Sequence, residues 1–442
     1  DVVASSKEKK FVEVLSGEKP NVQRLFEVDL GSFSKIPGNT ICYSTPEEIR
    51  DLHDTELKLD CEVSDIDGES IGYARQGVAT TNDFRFMRFH WETDDFEVFN
   101  PIATGGSDAW ILPQIVEVVE WRDQGTRIKR YSGTVRTPNE FLYGREGLVW
   151  TRSKETGRRF GYYPSDGLFS QTGYLFVPEN SDLLWQLLAS LNSDLYHSLF
   201  LSLTVERDWV GGIVGRAPWI TAFEGEEKLE SLAKEQFSIV ANTKTSDPVS
   251  PYYISPDVLP IEDDQGYFHE HLHSKKADLL SEAREQSPSK GDSIVEATKT
   301  VHEKEVSNRQ KLETLAENID SLVYDLADIS NDTREQIEQE IQLRTGKSQN
   351  EKREETVSDT TDSLEQRVKD LVHHFAMEAV REESDGIIPL EDTDEQADML
   401  DRIVERFEDA YREHAEDRLV EVDDILGAES AAEEAYPNLR EF

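Results

Sequence analysis

The sequence predicts an α+β protein in which a β-rich domain is followed by a helical, coiled-coil-like region. Three observations predict it. Residues 94–178 are short β-prone runs punctuated by turn residues. Leu312, Leu315, Ile319, Leu322 and Leu326 keep a 3-4 spacing, which lays one apolar seam along a helix. Between later helical stretches, residues 346–362 have the polar composition of a disordered linker. A chain of 442 residues can bury more than one core. The expected parts are a lead-in (1–60), the β-rich domain (61–220), a helical spacer (221–345), the linker (346–362) and a C-terminal helical block (363–442).

Charge sets the next bound. Ninety-one acidic residues stand against 47 basic ones, a net charge of −44. Seven Trp, 19 Phe and 14 Tyr exclude whole-chain disorder. A globular chain this acidic fits a surface adapted to molar salt, where self-repulsion is screened. Two cysteines, Cys42 and Cys61, support neither a disulfide framework nor a zinc ribbon, and their scarcity fits a reducing cytoplasm. No run of 18 apolar residues occurs, so no membrane span is expected. The first residue is Asp1 rather than Met and the opening reads as the middle of a domain, so the chain is expected to be a piece of a longer polypeptide.

In the lead-in, Phe33–His53 holds a Pro-Gly turn, a short β-prone run and a helix opened by Ser44-Thr45-Pro46-Glu47-Glu48. The stretch Arg75–Trp91, RQGVATTNDFRFMRFHW, alternates arginines with Phe84, Phe86, Phe89 and Trp91. Its second half has period 2, which predicts a strand with one aromatic and one basic face. The turn at Gly77 supplies backbone N–H groups, and Arg75, Thr80, Asn82, Arg85 and Arg88 are candidate contacts to phosphates or base edges. Ile111–Trp121 reads as a long strand or a strand pair.

Within this acidic chain lies one basic island. From Arg122 to Arg159 there are ten basic residues and four acidic ones, a net +6, so the remainder carries −50. The basic residues are Arg122, Arg127, Lys129, Arg130, Arg136, Arg145, Arg152, Lys154, Arg158 and Arg159, interleaved with Tyr131, Tyr143 and Trp150. Such a concentration with aromatics between is what a polyanion-binding face needs. Leu183–Thr204 follows as an apolar helix, and the glycine-rich Val210–Gly215 runs into Arg216, a further candidate contact. His269-Glu270-His271-Leu272-His273 satisfies a zinc-protease pattern, but with no third-ligand motif these histidines are expected on a solvent-facing helix, and no metal site is assigned.

Several of these stretches together resemble PglX-type adenine-specific DNA methyltransferases of BREX phage-defence systems, which are related to type IIG restriction–modification enzymes. Residues 75–91 resemble that family's segment "R-x-G-hydrophobic-x-T-G-x-x-D-x-R-F-hydrophobic-R-x-W", with Thr81 where the family has Gly. Ile36-Pro37-Gly38 with Tyr43 resembles its connector after the catalytic core. Residues 99–110 resemble its "P-hydrophobic-x-K-G-G" turn, with Thr104 in place of lysine. Residues 147–178, 183–204 and 209–219 resemble the end of its target recognition domain, and residues 319–341 its later helices. By this resemblance 61–220 is a target recognition domain that reads double-stranded DNA. The parent would then transfer a methyl group from S-adenosylmethionine to adenine N6, marking host DNA, with other BREX proteins as further partners.

The catalytic motifs themselves do not occur. Adenine methylation needs an Asn/Asp-Pro-Pro-aromatic loop, yet Asn100-Pro101 is followed by Ile102, and Pro251-Tyr252 follows Ser250. Val210–Gly215 leads into Arg216-Ala217-Pro218 rather than a helix, so it is not read as a cofactor loop. No catalytic residue, no cofactor and no complete methyltransferase Rossmann-like domain is therefore assigned to these residues. The rival reading is a non-catalytic, acidic protein–protein scaffold of a defence complex. The charge balance makes a first prediction. Diluting the chain from molar KCl to 0.1 M salt lengthens the screening distance to about 10 Å and unfolds it, as circular dichroism would record. Equal folding at both salts would overturn the halophilic reading.

Overall fold

The computed structural model describes residues 28–93, 95–105, 110–131, 133–153, 158–164, 167–204, 208–260, 288–345, 363–383, 386–389, 396–427 and 436–442. Its strands are β1 (Leu57–Lys58), β2 (Glu69–Ser70), β3 (Gly72–Arg75), β4 (Met87–Phe89), β5 (Phe99–Ala103), β6 (Glu117–Glu120), β7 (Gly147–Thr151), β8 (Phe160–Tyr163), β9 (Leu168–Phe169) and β10 (Gly173–Pro178). One sheet has the order β3-β10-β7-β8 and is antiparallel throughout; a second has the order β4-β6-β5-β9, with β5 and β9 parallel. β1 and β2 make a small parallel pair.

The first sheet organises the cores. β7, β8 and β10 are buried along their whole length, so they read as continuous apolar runs instead of clean alternation. The alternation survives in where the side chains go. Leu148, Trp150, Tyr174 and Phe176 join the largest core, while Val149, Leu175 and Val177 join a separate core on the opposite face.

The helices are α1 (Glu47–Leu52), α2 (Cys61–Ser64), α3 (Asp83–Phe86), α4 (Arg122–Tyr131), α5 (Leu184–Leu191), α6 (Asp194–Leu203), α7 (Gly211–Val214) and α8 (Glu227–Lys244). After them come α9 (Ile294–Leu326), α10 (Asn331–Thr345), α11 (Leu364–Glu382), α12 (Met399–Tyr411), α13 (Ala415–Leu426) and α14 (Pro437–Glu441). Side chains of α5, α6, α8, the second half of α9, and α10 all enter the largest core. The first half of α9, through Ile294, Ala297 and Val301, joins a second core with α11, α12 and α13. The mixed α+β character expected from the sequence is therefore present. Residues 61–220 and 221–345, however, share one core across the expected boundary. The apolar seam on α9 buries Leu312, Leu315 and Ile319 against that core rather than against a coiled-coil partner.

Other expectations need correction. Leu183–Thr204 is two helices, not one. The Asn192 side chain leaves the helical path to exchange hydrogen bonds with the Phe160 backbone, accepting from its N–H (3.1 Å) and donating to its C=O (2.9 Å). Ser193 then caps α6 by accepting from the Tyr196 N–H (3.4 Å). Of Ile111–Trp121 only the four residues of β6 are strand. α1 does begin at Glu47, but no hydroxyl caps it: the Ser44 hydroxyl donates to Glu340 on α10 at 2.5 Å. The glycine-rich stretch is itself a short helix, α7, and its glycines serve close packing. A Cβ on Gly211 would meet the Ala74 carbonyl oxygen at 2.6 Å, and one on Gly215 that of Asp60 at 2.5 Å. His269–His273 and the 346–362 linker lie outside the described residues. Among the described residues, no helix is long and apolar enough to cross a membrane.

His53, at the end of α1, is buried with its Nε2 2.8 Å from the Ser202 hydroxyl, and its carbonyl accepts from Lys58 Nζ at 2.6 Å. Burial, with the nearby Lys58 charge, pulls its pKa from 6.5 down to about 3. Burial pulls His374 on α11 down to about 4. The unfolded chain binds these protons from about pH 6.5 downward, whereas the folded chain stays neutral there. Stability is thus fully present above pH 6.5 and falls as pH drops, at a limiting slope of about 1.4 kcal/mol per pH unit for each histidine. Denaturant unfolding between pH 7 and 5 should show this loss, and His53→Gln should flatten the slope by one histidine's share. An unchanged slope would mean that His53 takes up its proton in the folded state.

Candidate nucleic-acid interface

The sequence stretch that carries most candidate contacts does not form the expected strand. Residues 83–86 make the single turn α3, and only Met87–Phe89 are strand. Asn82 caps the turn, its side chain accepting from the Arg85 N–H at 3.2 Å, while the Thr80 hydroxyl bonds the Asp83 carboxylate. This change of period rearranges the aromatics. Two residues apart on a strand share a face, but on a helix they lie about 200° apart. Phe86 is accordingly buried with Val78, Ile102, Val119, Ile128 and Leu168, whereas Phe84 is 95% exposed.

Around this turn a basic and aromatic surface assembles. Arg85 is exposed and lies over the Tyr131 ring, 5.0 Å from its centre, a favourable cation–π distance. The Asn82 amide donates to the Tyr131 hydroxyl at 2.8 Å, and Phe86 meets the Tyr131 ring edge-on at 5.1 Å. α4 brings Tyr131 here by a sharp entry: Asp123, Gln124 and Gly125 all have positive φ before the helix proper. A side chain at Gly125 would strike the Trp121 ring at 2.5 Å. Arg130 adjoins Tyr131 in sequence, and Arg136 pairs by backbone with Ala79 beside Thr80 (3.2 and 2.8 Å). Arg85, Arg130, Arg136 and Arg145 are exposed, and among the described residues no carboxylate makes an ion pair with them.

Four further candidates are exposed but paired. Arg122 meets Asp95 (3.5 Å), Arg127 meets Glu120 (2.7 Å), Lys129 meets Glu140 (2.8 Å) and Arg152 meets Asp208 (2.8 Å). Ion pairs in this setting contribute about 0–1 kcal/mol, so a phosphate can compete for these cations. Lys129 holds the Glu140 carboxyl below its usual pKa, with help from the Thr137 hydroxyl.

The remaining candidates are used inside the fold. Arg75 is buried and forms an ion pair with fully buried Asp60, its other branch reaching Glu62 at 2.6 Å. Arg159 is 1% exposed and lies 3.7 Å from the centre of the Trp209 ring. Arg158, expected in a phosphate-touching turn, donates to the Asn192 carbonyl (2.9 Å) and to Asp320 on α9 (3.2 Å), tying sheet to helix. Arg88 is half-buried, its Nη1 donating to the Phe84 and Met87 carbonyls at 3.1 and 2.6 Å. Arg216 is half-buried, with Nη1 facing the Gly38 turn. Thr80 is buried and Asn82 is committed to its cap. The Gly77 N–H is bonded to the Ser170 carbonyl at 3.0 Å, so it makes no anion-binding turn. Lys154 lies outside the described residues.

Two side chains absent from the sequence-derived contact set belong to this surface, Phe84 and Tyr131. Both were visible as aromatics beside arginines; only the helical period of residues 83–86 separates Phe84 from Phe86. No protein-family model matches the chain, and no curated protein matches it. Thr81, where the resembled pattern has glycine, sits at φ +59°. A β-branched residue in that left-handed region is strained by about 1–2 kcal/mol. Thr81→Gly should therefore raise stability by about 0.5–1 kcal/mol after the added chain entropy of glycine. Thermal melts in molar KCl would show it, and a lower midpoint would argue that residue 81 is not left-handed in solution.

Proposed function

We propose that this chain is the DNA-recognition part of a site-specific adenine-N6 DNA methyltransferase of the PglX type, marking host DNA in phage defence. The observation that carries the reading is the surface at α3 and α4: Arg85, Arg130 and Arg136, together with exposed Phe84 and Tyr131, in a chain of net charge −44. A polyanion partner matches that surface, and the duplex is the partner that the resembled family reads. Arg122, Arg127, Lys129, Arg145 and Arg152 extend the cationic surface, the paired ones exchanging carboxylates for phosphates. Thr81 at positive φ also supports the resemblance, since glycine is the residue such a position favours. In this reading S-adenosylmethionine binds a separate catalytic domain of the parent, which extrudes the adenine while this chain holds the site. Other defence proteins are proposed partners of the acidic helices.

Filter binding of duplex DNA over a series of KCl concentrations tests the reading. Affinity should fall with salt, and Arg130→Ala or Arg136→Ala should each flatten the log–log slope by about one. Arg158→Ala should leave that slope alone and lower the melting temperature instead, because its guanidinium serves Asn192 and Asp320. Absence of duplex binding at every salt that keeps the chain folded would overturn the proposal.

A further inference from the structure

We infer that Phe84 is a wedge that inserts between stacked bases of the duplex. The inference rests on the DNA-binding reading above and adds to it a way of engaging the helix. A lone exposed apolar side chain is ordinary on protein surfaces, so exposure by itself carries nothing. What distinguishes Phe84 is its mount. The turn beneath it is closed by the Asn82 cap, by the Thr80–Asp83 hydrogen bond and by burial of Phe86 on the opposite side. Arg88 completes the mount, donating to the Phe84 carbonyl itself (3.1 Å) and to that of Met87 (2.6 Å). Phe84, 95% exposed, thereby stands on a turn whose backbone is held by Asn82 on one side and Arg88 on the other.

The neighbours supply charge complementarity. Arg85 follows Phe84 directly and is steadied over Tyr131, while exposed Arg130 adjoins Tyr131 in sequence and exposed Arg136 pairs by backbone with Ala79, next to Thr80. The one acid of the turn, Asp83, is engaged by the Thr80 hydroxyl. Nearby Phe89 and Trp91 are also exposed, their rings stacked 4.7 Å apart. Rigid apolar side chains flanked by cations unstack base steps in this way: the cations hold the backbones while the wedge replaces one stacking contact. In the proposed parent, a step already opened by Phe84 would ease extrusion of the neighbouring adenine. Arg88 is then a positioning residue for the wedge rather than a reader of a base edge.

The test uses the full chain in the lowest KCl at which circular dichroism shows it folded, with a pool of duplexes each carrying 2-aminopurine amid randomised sequence. Binding is followed by anisotropy of an end label and unstacking by 2-aminopurine fluorescence. Wild type should bind and raise the fluorescence several-fold. Phe84→Ala should abolish the rise while anisotropy still reports binding, and Phe84→Trp should keep it. Phe141→Ala, which removes another exposed ring, should change neither signal. Arg88→Gln should diminish the rise without flattening the salt dependence of binding. Binding with no rise in wild type, or a rise that survives Phe84→Ala, overturns the wedge and leaves the DNA-binding reading standing. No anisotropy change with wild type overturns both.

Discussion

Asp60 is fully buried where three segments of the chain meet, and its ion pair with Arg75 is the contact on which their arrangement depends. One carboxylate oxygen accepts from the Val63 N–H (3.1 Å) and caps α2; the other accepts from the Ala74 N–H (2.7 Å) and holds β3. Its own backbone N–H bonds Gly215 at the end of α7, and Leu59 bonds Ala217. A charge this deep is tolerable only with a partner and a full set of hydrogen bonds, and removing one member of such a pair costs about 3–5 kcal/mol. The chain segments 57–60, 72–75 and 211–217 are thus locked to one another, and residues 76–82 connect β3 to the turn that carries Arg85. Arg75 is consequently a structural residue, although it opens the most DNA-like stretch of the sequence.

Much of the architecture was legible in the primary structure, and the failures have specific causes. The short strands up to Pro178, the helical seam at Leu312, Leu315 and Ile319, and the charged helices around it follow from apolar periodicity and composition. Residues 83–89 misled because FRFMRF satisfies period 2 while a hydrogen-bonding Asn-Asp pair favours starting a helical turn. The break in Leu183–Thr204 depends on Asn192 bonding Phe160, a residue 32 positions earlier. Charge counting located the basic island but could not sort it. Arg158 and Arg159 look as free as Arg130 until the fold brings up Asp320 and Trp209.

The balance of charge shapes how such a surface could work. A body of net −44 repels a polyanion over a Debye length, yet in molar salt that length is only about 3 Å. Counterion release contributes little under those conditions, so non-specific phosphate attraction is weak. Short-range contacts, in which a ring meets a base or a guanidinium meets a groove edge, are screened far less and carry discrimination. A small, rigid and partly aromatic surface is better suited to that regime than a broad field of lysines.

The longest helix has a mechanical meaning. α9 has 33 residues and so runs about 50 Å, rooted at one end in the C-terminal core and at the other in the core behind the sheet. Between these roots, from His302 to Lys311, no residue is buried in either core. A continuous helix resists twisting along its length, so a rotation of the C-terminal helices is delivered as torque to Asp320, six residues before the far end, and through Arg158 and Asn192 to the edge of the first sheet. α9 shares this coupling with residues 252–259, where Tyr252 joins the core behind the sheet, Val258 and Leu259 join the C-terminal core, and the Tyr253 hydroxyl meets His374 at 3.1 Å.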